Sequence, residues 1–235
     1  MIVMKAQQDI ISVVMIITVA LGLVSTAYLW GVPLLKKRAY ESIVNRIYES
    51  AFNSNNQNSL VKKIEYVAKY GGEQTFSLEL GGEGSFADVN WVWKLYPCAD
   101  PTVSVCSCTS PSCSSENNTI QLSFLSQATN IAAGQGWIPN TCGSSPGLVS
   151  EDPSIVCGKA ETSGDGFELV YKIWFRELDE NPADPNTRAY KYVLYAPTGV
   201  TSSVGKTVRI SKGDITSQIV DGKTLITTEI KIFLV

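Results

Sequence analysis

Charged residues are absent from Ile10 to Leu35, a run of 26 positions (IISVVMIITVALGLVSTAYLWGVPLL) between Asp9 and the triplet Lys36-Lys37-Arg38. A helix of that length extends about 39 Å, enough to cross a hydrocarbon core of about 30 Å with some tilt. Past the triplet the apolar positions narrow to one side. Tyr40, Ile43, Val44, Ile47, Tyr48 and Ala51 recur at helical spacing, while Lys37, Glu41, Ser42, Asn45, Arg46 and Glu49 fall on the other face. The pattern predicts one long helix, apolar all round in its first half and amphipathic in its second. Pro33 removes one backbone donor inside it and should kink it. The polar tract at 53–58 (NSNNQN) ends it. Ser59 then caps a second helix, with Leu60, Val61, Ile64, Val67 and Ala68 on one face and Gly71-Gly72 as its stop.

From Gln74 the period changes to two. Phe76, Leu78 and Leu80 alternate with Ser77 and Glu79, and after a glycine-rich turn Val89, Trp91, Trp93 and Leu95 alternate with Asn90 and Lys94. Ile120, Leu122 and Phe124 make a third strand. Phe167, Leu169, Tyr171, Ile173 and Phe175 make a fourth, and Tyr190, Tyr192 and Leu194 a fifth. Val208 and Ile210 mark another. Asp221-Gly222 between Ile215–Val220 and the run Ile226, Ile230, Ile232, Leu234 signals a hairpin. Seven or eight strands without helical crossovers predict a mainly antiparallel, Ig-like β-sandwich. The fold class is therefore α+β: a long N-terminal helix for a membrane or filament core, then a β-sandwich head. The expected organisation is a leader at 1–6, a long helix at 7–52, a linker with a short helix at 53–73, and the head at 74–235.

Composition narrows the chemistry. A formal net charge of −3 over 235 residues offers no basic stripe for nucleic acid. Histidine is absent, which removes the commonest general base and metal ligand. No nucleophile motif or phosphate loop is present, and Glu151-Asp152 are adjacent, a poor geometry for paired acid–base work. The chain reads as a non-enzyme without a cofactor. Its six cysteines, Cys98, Cys106, Cys108, Cys113, Cys142 and Cys157, crowd into Ser/Thr/Pro-rich sequence and read as disulfides of an oxidising compartment. Six cysteines allow 15 connectivities, and spacing does not choose among them. Cys98, Cys106, Cys108 and Cys113 could instead wrap a zinc ion, but no paired Cys-x-x-Cys knuckle is present. Asp179-Glu180-Asn181 with Asp184 and Asn186 offers oxygen ligands for a weak Ca²⁺ site, although a solvated loop is the simpler reading. Trp91 and Trp93, alternating within a strand, are expected to fill the core.

The N-terminus combines a short head with one charge (Lys5), a small residue (Ala6), a polar start (Gln7-Gln8-Asp9) and then the long apolar run. The order Lys5-Ala6-Gln7 resembles the class III signal peptide of archaeal type IV pilins and archaellins. The resemblance covers about the first 50 residues. It implies a prepilin peptidase as partner, cutting between Ala6 and Gln7 on the cytoplasmic side so that the apolar helix is retained. It also implies a homo-oligomeric helical filament built on that helix, and a surface role such as adhesion. The bacterial version carries a glutamate four residues after the mature start. That position is Ile11 here, with Asp9 the nearest acid, and many archaeal members also lack it.

Topology draws on opposed signals. Lys36-Lys37-Arg38 outweighs Lys5, which by the positive-inside rule would hold the head in the cytoplasm. The cysteines, and a glycosylation sequon with Asn117 as acceptor (Asn117-Asn118-Thr119), point outward. The expectation is a membrane-held precursor whose head lies outside the cell. Gly22, Ser25, Ala27 and Gly31 along the stalk would let neighbouring helices approach closely.

Overall fold

The uncharged run and its amphipathic continuation form a single helix, α1 (Ile2–Ile47), extended by one π-helical turn at Tyr48–Phe52. Pro33 lies inside α1 without ending it; only the Leu29 carbonyl loses its partner one turn on. The computed structural model describes residues 2–78, 89–97, 118–128, 134–140, 142, 146–164, 166–184, 186–220 and 222–235, without the side chains of 2–11 and of Gln135. The expected strand positions Leu80 and Glu79, and the glycine-rich turn after them, lie outside these residues.

Helix α2 (Leu60–Tyr70) follows a turn held by asparagine side chains, with Asn53 Oδ1 accepting from the Asn55 N–H and Asn56 Oδ1 from the Asn58 N–H. The Lys62 N–H donates to Ser59 Oγ at 3.3 Å, the expected N-cap. Gly71 ends the helix at φ 82°, backbone that glycine adopts without a Cβ clash. Leu60, Val61, Ile64, Val67 and Ala68 are all buried. The four larger side chains each stabilise by roughly 1.5–3 kcal/mol relative to exposure.

The strands are β1 (Glu73–Ser77), β2 (Trp91–Tyr96), β3 (Thr119–Ser126), β4 (Gly134–Ile138), β5 (Gly147–Leu148), β6 (Ser154–Ser163), β7 (Gly166–Phe175), β8 (Leu178–Asp179), β9 (Arg188–Tyr195), β10 (Ser202–Ser203), β11 (Thr207–Val220) and β12 (Lys223–Leu234). They form two six-stranded sheets, in the orders β1-β11-β12-β9-β8-β5 and β10-β2-β3-β7-β6-β4. Pairing is antiparallel except for β12 with β9 and β5 with β8. After β9 the chain visits the second sheet at β10 before returning as β11, so the β11–β12 hairpin lays β12 beside β9 in the same direction. A crossover of that kind is what a parallel pair requires.

The structure has more strands than the expected seven or eight: β4 and β6 carry no clean alternation, and two further differences have local causes. Short pieces (β5, β8, β10) carry too few residues to show a period. β11, in contrast, merges two expected strands, Val208-Ile210 and Ile215–Val220, across a register shift between Lys212 and Ile215. That bulge absorbs the Lys212-Gly213-Asp214 interruption without breaking the strand.

The sheets meet at Phe76 against Trp93, with ring centroids 6.2 Å apart, and at Phe175 against Tyr192, 6.3 Å apart. Elsewhere the helices enter the core: α2 packs on β1, β11 and β12, and the π-helical turn on β7. One continuous core therefore joins Ile43, Ile47, Ala51 and Phe52 to α2 and to both sheets. Lys63 Nζ donates to the Thr75 carbonyl at 2.6 Å, fixing α2 over β1. On the other side Lys62 pairs with Glu65 (2.7 Å) and Asp152 (3.7 Å), and the Ser154 hydroxyl donates to Glu65. Partial burial works to lower the Lys62 pKa, but Glu65 and Asp152 outweigh it and hold the ammonium above its ordinary value.

Candidate membrane and assembly interface

The apolar stretch of α1 is unburied over its described side chains up to Trp30. Every side chain from Ser12 to Trp30 is exposed, Trp30 at 74%. An 18-residue stretch of mean hydropathy 2.1 lies wholly unburied, and by length and composition the helix can cross a membrane. Its two threonine hydroxyls are turned inward: Thr18 Oγ1 donates to the Val14 carbonyl and Thr26 Oγ1 to the Gly22 carbonyl, both at 2.8 Å. Satisfied within the helix, these two hydroxyls suit a lipid or helix-bundle environment. Gly22 and Gly31 have open space where a Cβ would stand. Lys36, Lys37 and Arg38 are exposed as a basic collar. One turn further on the helix begins to bury its side chains.

Its lower part is built differently. Tyr40 and Val44 are half-buried, and Ile43, Ile47, Ala51 and Phe52 are buried. A π-helical turn carries more residues per turn than an α-helix, and here it turns Phe52 inward. The Phe52 ring lies 5.1 Å from Tyr171 and 6.5 Å from Trp93, centroid to centroid. Tyr48 remains 5.9 Å from Tyr171 at the rim. Burial pushes the Tyr171 phenol above its ordinary pKa, with Tyr48 adding to the effect. Beside this seat, Val44 and Tyr48 face Ile138, Val156, Ala160 and Leu169 across a groove of about 520 Å³.

The expected site residues are distributed unevenly. The Ala6–Gln7 bond lies within the first turns of α1. Cys142 and Cys157 are joined by a disulfide that ties the segment after β4 to the buried middle of β6. The candidates Cys98, Cys106, Cys108, Cys113 and Asn117 lie outside the described residues. The two residues after Asn117, namely Asn118 and Thr119, are buried. In the acidic loop the carboxylates serve the loop itself. Asp179 accepts from the Asn181 N–H and from Lys223 Nζ, Asp184 from the Asn186 N–H, and Glu180 from the Tyr190 hydroxyl at 2.9 Å. Among the described residues no three His, Cys, Asp or Glu side chains converge. Trp93 is fully buried, while half-buried Trp91 donates its indole N–H to the Gly205 carbonyl at 3.1 Å.

Three residues with no sequence signal turn out to matter. Phe52 sits one position beyond the end of the amphipathic pattern. Asn118 bridges the sheets: its Nδ2 donates to the carbonyls of Phe175 (3.2 Å) and Tyr192 (2.6 Å), and the Leu194 N–H donates to its Oδ1 at 2.8 Å. Lys172, fully buried in β7, places its ammonium 3.9 Å from the centroid of the Trp137 ring, a desolvated cation–π contact.

The Cys142–Cys157 link closes a loop of 15 residues, for which chain-entropy arguments give about 3 kcal/mol. Replacing both cysteines with serine is expected to lower the unfolding free energy of the full chain in detergent by about that amount, read from the denaturant midpoint. An unchanged midpoint would assign the bond no stabilising role.

The chain is thus an α+β protein: a membrane-capable apolar helix rooted in a strand-rich, disulfide-containing head. No protein-family model, curated protein or solved structure matches it.

Proposed function

We propose that this chain is the precursor of a pilin-like structural subunit. The leader at 1–6 is removed between Ala6 and Gln7, and the mature subunit, major or minor, polymerises into an archaeal type IV pilus-like surface filament that serves adhesion. The observation that carries this reading is the division of α1. Its first half is apolar and exposed on every side, and its second half is locked into the head's core. A helix apolar all round is equally stable in lipid and in a bundle of identical helices. Such a subunit can wait in the membrane and then move laterally into a polymer, with Gln7 to about Phe52 as the assembling element and the strand-rich head as the exposed sheath. Repetition of one heterologous contact gives an open helical assembly. The absence of histidine and of a nucleophile motif supports a non-enzymatic role.

The basic collar Lys36-Lys37-Arg38, exposed where the apolar stretch ends, favours a second reading. In it the chain stays a single-pass anchored head that binds a partner at the surface without polymerising. Intact mass and N-terminal peptide mapping of protein from sheared surface material separate the two. A start at Gln7 in a sedimentable polymer is the expected result. An intact Met1 confined to the membrane fraction would overturn the filament and leave the anchor.

A further inference from the structure

β11 is 14 residues long, but β1 covers its outer side only from Thr207 to Ser211. From Ile215 to Val220 its inner side pairs with β12, and among the described residues no strand pairs with the outer side. Natural sheet edges are blunted by charge, proline or shortness. This one carries no charge and no proline from Ile215 to Val220 (ITSQIV), and its bulge lies at the base, between Lys212 and Ile215. Two isoleucines stand exposed on one face of it, Ile215 at 58% and Ile219 at 77%. Neither contributes to the head's core.

The hairpin geometry says which backbone groups are available. Val220 and Lys223 flank a two-residue loop and pair directly, which makes them the hydrogen-bonded pair next to the turn. Counting back in twos, 216 and 218 also direct their N–H and C=O groups to β12, and 215, 217 and 219 direct theirs outward. The outward set is symmetric about Ser217. If the same edge of another molecule approaches antiparallel across a two-fold axis at Ser217, Ile215 of each copy lies opposite Ile219 of the other. Thr216 then lies opposite Gln218 and Asp214 opposite Val220, so no like charges meet. About six backbone hydrogen bonds form, and the exposed isoleucines cover one another in two cross-strand pairs.

We propose that the outer edge of β11 from Ile215 to Ile219 is a docking surface for the same edge of a second copy of this chain, joining two heads through a continuous sheet. The contact is isologous and closes at two. It therefore cannot itself propagate a filament. In a polymer it would tie heads of neighbouring filaments, and on a membrane it would pair anchored heads. It does not depend on leader cleavage.

The test uses the full chain in detergent micelles, by sedimentation across a concentration series. The parent should dimerise, and Ile219→Lys should weaken dimerisation roughly tenfold or more, since both cross-strand isoleucine pairs are lost. At concentrations where the parent is monomeric its melting profile should be unchanged, because Ile219 is exposed in the monomer. In parallel, Ser217→Cys with a short bis-maleimide should give a cross-linked dimer above the parent's background. A parent that stays monomeric, or a dimer that Ile219→Lys leaves intact and Ser217→Cys does not capture, overturns the proposal and leaves the edge to an extended segment of a different protein.

Discussion

Asn118→Ala is expected to lower the stability of the full chain by about 3–5 kcal/mol. The side chain is 2% exposed and sits at φ 62° immediately before β3. From there it reaches the Phe175 carbonyl at the end of β7 in one sheet, and the Tyr192 carbonyl and Leu194 N–H of β9 in the other. Truncation strands two carbonyls and one N–H in the interior, each costing about 1–3 kcal/mol when left unsatisfied. Alanine is also strained at a positive φ. For a domain of this size each kcal/mol moves the melting temperature by roughly 2–4 °C, so thermal unfolding followed by circular dichroism should shift down by about 6–20 °C. Asn118→Gly isolates the hydrogen bonds: it accepts the backbone angle, loses the same three contacts, and should recover only about 1 kcal/mol of the loss. Asn118→Asp turns a carboxylate toward two carbonyls and should be no better than alanine. A loss below about 1 kcal/mol for alanine would mean the sheets are held together without this bridge.

The same residue shows where sequence reading stops. Asn118 stands in a turn-prone, polar stretch, and nothing local marks it as buried. Its partners lie 57 and 74 residues further along the chain. Elements whose cause is local were legible instead. α2 follows from its apolar spacing, its Ser59 cap and its Gly71 stop, and all five expected core positions are buried. The alternation in β2, β3 and β7 likewise reports which side faces the core. β6 was not visible, because Cys157, Gly158 and Lys159 interrupt any clean period. It becomes a strand by pairing with β7 along its full length, from Ser154 opposite Phe175 to Ser163 opposite Gly166. The Gly164-Asp165 pair between them was the one local hint of that hairpin. The parallel pairing of β12 with β9 had no hint at all, since it is fixed by the route of the chain between the sheets.

The candidate interface divides in the same way. A membrane-length apolar helix is written in composition, and so is the change to an amphipathic face after Arg38. The pairing of Cys142 with Cys157 is not, because thiol partners are chosen by the fold that brings β6 beside the segment after β4. The π-helical turn is also hidden. With more residues in the turn, Phe52 is buried beside Ala51, whereas the strict α-helical count ends on Ala51.

That turn makes the second large effect specific to one side chain. Phe52→Ala is expected to cost about 3–5 kcal/mol, since a fully buried ring between Tyr171 and Trp93 is removed at the point where the stalk enters the head. Trp30→Ala removes a larger ring from the exposed stalk and should leave the head's unfolding midpoint unchanged, because Trp30 touches nothing in the monomer. The pair separates two roles that a single truncation would mix. If the seat fixes the angle between stalk and head, Phe52→Ala should also speed proteolysis in the adjoining 53–58 tract, whose ends are held by the turn and by α2. Trp30→Ala should not change that rate, and its effect, if the helices pack together, should appear only in assembly. Equal midpoints for Phe52→Ala and the parent would instead make the π-helical turn a passive connection, with the stalk free to swing on the head.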